Sequence, residues 1–215
     1  MNVSKKIHVM IWAMFLLFDG FALAESVKEM DVLDSKGMPF DVDIPKWLEN
    51  ALDGDYSLLE KEYKGAVIYF AEWDGQDLDG LKYLVQHFQV NENFSHTLST
   101  AAIAKIRGNS KVCKESEGNE DFLNDIENAF AQIFYHGLEL KKDYWIQIRT
   151  YKDKKESCFE DSYHYYVVYA MDRNILKRQV ESVLERVEAE SAVQQKMKKE
   201  AISFMDEVKF IIKPN

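Results

Sequence analysis

The chain has 215 residues and a formal net charge of −10, with 27 Lys and Arg against 37 Asp and Glu. So negative a chain repels nucleic acid and anionic membrane, and no Lys/Arg-rich tract offsets the charge locally. Hydrophobic residues make up 47% of it, enough for a real core, and beyond the first 24 residues no apolar stretch is long enough to span a bilayer.

Residues 1–24 carry the three parts of a secretory signal peptide. Lys5 and Lys6 make a positive start, and Val9 to Phe18 form an apolar run. Asp19-Gly20 breaks the run, and Ala22-Leu23-Ala24 supplies small residues, so cleavage is predicted between Ala24 and Glu25. The run is about half the 20 residues that a membrane-spanning helix needs. Cleavage leaves 25 basic against 36 acidic residues, a charge of −11, on 191 residues. That length suits one domain with an appended element. The expected location is the periplasm or cell envelope, with no integral membrane span after cleavage.

Residues 25–44 hold Gly37, Pro39 and many acids without clean periodicity, and are expected to be a lead-in segment. Pro45-Lys46-Trp47-Leu48 opens a short helix, which Asp53-Gly54-Asp55 ends. Ala66 to Trp73 is apolar on both faces and rich in β-branched and aromatic residues, the pattern of a buried strand. Behind Asp77 as N-cap, Leu78, Leu81, Leu84, Val85 and Phe88 recur at helical spacing. Residues 94–107 combine strand-forming Thr97, Ser99 and Thr100 with a helix-compatible run from Ala101 to Ile106, and are expected to be a strand. After a charged loop, Asn119 is expected to cap a helix that buries Phe122, Ile126, Ala129, Phe130 and Ile133, with Gly137 as its stop. Tyr144 to Tyr151 and Ser162 to Met171 alternate as a strand pair joined by a charged hairpin loop.

Asp172 is expected to cap the last helix. Leu176, Val180, Val183, Leu184 and Val187 form one stripe, and Met197, Ala201, Phe204, Met205 and Val208 a second. No Pro or Gly separates Asp172 from Lys213. An unbroken helix here would run about 40 residues, or about 60 Å. The second stripe would then project beyond a small domain and offer an interaction face.

Cys113 and Cys158 lie among charged residues in an exported chain and are expected to form a disulfide, worth about 3–4 kcal/mol for a loop of this length. The acidic run from Asp74 to Gly80 invites a calcium reading. With Asp77 and Asp79 as loop positions 3 and 5 and Gly80 as position 6, Gly75 falls at position 1 and Gln86 at position 12. Both essential oxygen ligands are then missing, so the run reads as a strand-to-helix turn. His87, His96, His136 and His164 form no metal-ligand pair, and no G-x-S-x-G, S-x-x-K or Gly-rich phosphate loop occurs. No catalytic, metal or cofactor residue is therefore expected. The alternating tyrosines from Tyr163 to Tyr169 could stack on sugars, but such tyrosines more often pack against a helix.

One family shares this order of features. Pro45-x-Trp47 comes first, then the strand Val67-Ile68-Tyr69-Phe70, then Asp143-Tyr144-Trp145-Ile146-Gln147-Ile148. Tyr165-Tyr166-Val167-Val168-Tyr169-Ala170-Met171-Asp172 follows and opens the last helix. The arrangement resembles the Lpp-twenty-type bacterial envelope lipoproteins, whose relatives include flagellar outer-membrane accessory proteins, from about Pro45 to Val187. The resemblance implies a small α+β envelope domain with a structural or assembly role and no enzyme activity. Glu25 stands where such lipoproteins carry a lipidated Cys, and Leu81, Lys82 and Tyr83 replace the usual small residues of the first helix.

The resulting expectation is an α+β fold: a small sheet of about four strands, packed helices and a long C-terminal helix. Its parts are residues 1–24 (signal peptide), 25–44 (lead-in), 45–187 (α+β domain) and 188–215 (helical extension). The expected function is assembly by contact with an envelope protein or by self-association. The alternative is a periplasmic small-molecule or glycan-binding module.

Overall fold

The computed structural model describes residues 30–37, 44–109, 117–133, 135–152 and 158–212. The expected cleavage site Ala24–Glu25 and Cys113 lie outside the described residues. The elements in chain order are strand β1 (Met30–Ser35), helices α1 (Lys46–Leu52) and α2 (Ser57–Glu62), strand β2 (Ala66–Gly75) and helix α3 (Leu78–Leu84). A π turn (Val85–Gln89) leads into α4 (Val90–Gly108), followed by α5 (Glu117–Ala131). Strands β3 (Glu139–Tyr151) and β4 (Phe159–Asp172), helices α6 (Arg173–Leu184) and α7 (Ala192–Glu207) and strand β5 (Phe210–Ile212) complete the chain.

The expected α+β class stands. The sheet holds five strands rather than four, in the order β1-β3-β4-β2-β5. The central strand β4 is buried on both faces from Tyr165 to Met171, which is why its sequence is apolar without alternation. The added strands are the two edges. β1, within the expected lead-in, runs antiparallel to β3 and slips register between Val32 and Asp34. That irregularity breaks the period-2 pattern by which a strand is recognised. β5 is only three residues long and pairs parallel with β2, Ile68 opposite Phe210.

The chain divides into two units, with the divisions inside α2, β2, α3, β3 and β4. The first comprises residues 1–58, 73–81 and 144–166. In it, Arg149 donates two hydrogen bonds to the Asp161 carboxylate, at 2.7 and 2.8 Å, and its guanidinium lies 3.9 Å from the centre of the Phe159 ring. That fork raises the arginine pKa and lowers the aspartate's. Here too Asp77 accepts from the Asp79 amide at 3.2 Å as α3 begins.

The second unit comprises residues 59–72, 82–143 and 167–215. Helices α4, α5, α6 and α7 pack against one another in it, and α4 also meets β5. Tyr69, Phe94 and Tyr135 form its aromatic centre through edge-to-face contacts at 5.5 and 4.8 Å. Burial pushes both tyrosine pKa values well above their usual range. Phe122, Ile126, Ala129, Phe130 and Ile133 are buried as the stripe on α5 predicts.

Two expectations fail in this unit. Residues 94–107 are helix, not strand. Phe94, Leu98, Ala102 and Ile106 recur every four residues and are fully buried. Thr97 and Ser99, whose composition suggested a strand, turn their hydroxyls back onto the carbonyls of Asn93 and His96.

The long C-terminal helix is likewise absent. α6 ends at Leu184 and α7 starts at Ala192 behind a reciprocal cap. The Ser191 hydroxyl accepts from the Gln194 amide at 3.1 Å, and the Gln194 side-chain carbonyl accepts from the Ser191 amide at 3.2 Å. Gln194 also donates to the Gly118 carbonyl, tying the turn to α5. α7 returns onto α4 and α6. Met197, Ala201 and Met205 are therefore fully buried, Val208 is buried and Phe204 half-buried, so the expected interaction face is core. Burying each of the two methionines stabilises by about 1.5–3 kcal/mol, which is what the fold-back gains. Among the described residues no helix is long and apolar enough to cross a membrane.

Candidate functional site

The buried apolar residues of α3, the π turn and α4 are Leu81, Val85, Val90, Phe94, Leu98, Ala102 and Ile106. Every step between them is four residues except one of five, from Val85 to Val90, and the π turn lies across it. A π turn closes i→i+5, so it absorbs one extra residue and resets which side chains face inward. A regular helix would carry Leu84 and Phe88 on the buried stripe; here both face solvent. The Asn93 side chain, through Nδ2, donates to the carbonyl of Gln89, the last residue of the π turn, at 2.8 Å.

The side chains turned outward form a cluster. Phe88 is 60% exposed, Tyr83 58% and Leu84 48%, and the first two are the most exposed large apolar side chains among the described residues. The rings of Tyr83 and Phe88 meet at 5.8 Å, and His87 lies 4.7 Å from Tyr83. Beside them runs a groove of about 550 Å³ between α4 and α5, whose lining includes His87, Phe88, Glu92, His96, Glu127 and Ile133. His96 faces Glu127 across it, Nδ1 to Oε1 3.7 Å. Ser95 and Ser99 lie on the floor with their hydroxyls already donating, to the carbonyls of Phe130 and His96. The groove thus offers apolar edges, small satisfied polar groups and two carboxylates, an arrangement suited to binding.

The other sites read from the sequence lie elsewhere. Cys158 is exposed, and among the described residues there is no disulfide, its expected partner Cys113 lying outside them. Asp77 folds over Gly80, where an added Cβ would meet its Oδ2 at 2.6 Å, in keeping with the capped-turn reading. Among the described residues no group of three or more His, Cys, Asp or Glu comes together as a metal site. Tyr165, Tyr166 and Tyr169 are buried, and the half-buried Tyr163 packs edge-to-face with Trp145 at 5.8 Å. The strand tyrosines therefore form core rather than a stacking platform. Tyr83, Leu84 and Phe88 have no counterpart among the expected site residues, and the step of five was the signal available for them.

No family model matches the chain, and no curated protein or solved structure matches it.

Proposed function

We propose that the chain is an exported protein of the bacterial envelope or periplasm that acts by protein–protein contact rather than by catalysis, with Tyr83, Leu84 and Phe88 as its contact face. The observation that carries this reading is the joint exposure of those three side chains at a π turn, while the C-terminal stripe is buried. Large exposed aromatics that touch one another are the usual anchors of an interface. Glu92 and Glu127 in the adjoining groove favour a partner whose apolar anchor is flanked by basic side chains. The resemblance of the order of strands and aromatics to that of the Lpp-twenty-type lipoproteins supports an assembly role of the same kind.

A second reading, as a glycan or small-molecule binding module, draws on the Tyr83–Phe88 ring pair at the mouth of the groove. Crosslinking in intact envelopes separates the two. A photoreactive residue at Leu84 is expected to give one discrete protein adduct, absent when it is moved to the exposed Lys199 on α7. An adduct of carbohydrate mass transfers the site to the second reading. Equal adducts from both positions overturn the contact face.

A further inference from the structure

A different place in the second unit carries charge of the opposite sign to the chain as a whole. Where α2 turns into β2, a pocket of about 230 Å³ is lined by Glu60, Tyr63, Lys64, Arg173 and Lys209 around Gly65 and the start of β2. Three cations against one carboxylate leave two positive charges, in a protein whose net charge is −10. Among the described residues neither Lys64 nor Lys209 makes an ion pair, so Glu60 is the one carboxylate set against the three cations of the lining.

Arg173 is anchored at the pocket through the backbone around Gly65. Its amide donates to the Gly65 carbonyl at 3.1 Å, and its Nη2 reaches the Ala66 carbonyl at 3.5 Å. Its Nε is buried with no acceptor. That nitrogen is closed to solvent, so what the side chain brings to the pocket is its positive charge and its terminal guanidinium nitrogens. Gly65 has a φ of +81° and nothing within 4 Å of where a Cβ would stand, so the rim remains open. The pocket's rear wall is fixed by backbone, the Ile68 amide donating to the Lys209 carbonyl at 3.0 Å.

We propose that this pocket binds a small dianion of the phosphate class, with the terminal guanidinium nitrogens of Arg173 gripping its oxygens and Lys64 and Lys209 neutralising its charge. The volume lies below that of drug-sized sites and suits one phosphate with a short substituent. Two sources share this chemistry, free inorganic phosphate and a phosphomonoester on a larger molecule. The site stands independently of the contact face on the π turn.

Titration calorimetry of the full chain at low ionic strength tests it, with inorganic phosphate in one arm and glycerol phosphate in another. Sodium chloride of matched ionic strength is the control. Saturable heat is expected with phosphate and none with chloride, and tighter binding of glycerol phosphate identifies a monoester as the preferred form. The Lys64→Gln/Lys209→Gln double variant is expected to bind about tenfold more weakly or worse. Because both lysines are exposed, its thermal transition without phosphate should match that of the unmodified chain. Arg173→Gln is expected to lose the saturable heat. No saturable heat up to roughly 10 mM phosphate, or unchanged affinity in the double lysine variant, overturns the proposal.

Discussion

The α3–α4 and α6–α7 junctions depart from a regular helix in opposite directions. From α3 to α4, the backbone stays helical, yet the π turn moves Leu84 and Phe88 off the buried stripe and into solvent. From α6 to α7, the backbone breaks, and the break brings Met197, Ala201 and Met205 from a would-be projecting face into the core. One extra residue per turn exposes apolar surface without interrupting a helix. A Ser-x-x-Gln cap buries it by interrupting one. Exposed and buried stripes thus differ in how the helix register is handled, not in composition.

Substitutions at the two junctions should therefore differ in size. The largest effect is expected for Met197→Ala, which opens a cavity at a fully buried position and should cost about 2–5 kcal/mol in chemical denaturation. A loss below about 0.5 kcal/mol, the range of surface substitutions, would place α7 outside the core. Ser191→Ala removes the acceptor for the Gln194 amide and should cost about 1 kcal/mol, read from the same denaturation midpoint. No loss would mean that the turn is fixed without its cap. The smallest effect is expected for Phe88→Ser, within about 0.5 kcal/mol, because the ring is already in water. The same variant should lose the protein adduct formed from Leu84. A destabilisation comparable to that of Met197→Ala would show Phe88 to be core and end the comparison.

Much of the core was legible because it follows simple periods. The stripe on α5 has one helical spacing and one buried face, and the run in β2 is apolar on both sides. The cap at Asp172 is also written locally: its Oδ1 accepts from the Asn174 and Ile175 amides at 2.9 and 3.1 Å, as an Asp at an N-cap should. The failures occur where a period is broken or a local preference overridden. β1 hides behind a register slip, and α4 behind Thr97 and Ser99, whose strand preference yields to a buried face repeating every four residues. The turn before α7 has neither Pro nor Gly, but Ser191-x-x-Gln194 is a capping-box spacing that outweighs their absence. The contact face was hidden for a related reason. Leu84 and Phe88 fit a regular helical stripe, and only the step from Val85 to Val90 reveals that the stripe changes sides.

Residue-resolved hydrogen exchange on the free protein tests most directly whether the C-terminal stripe is core. Amides in the middle of α7, around Met197 to Met205, are expected to exchange only through global unfolding, with the same opening free energy as those around Phe94 to Ala102 in α4. Exchange in α7 through local opening, while α4 stays protected, would contradict the account and return Met197, Ala201 and Met205 to the surface.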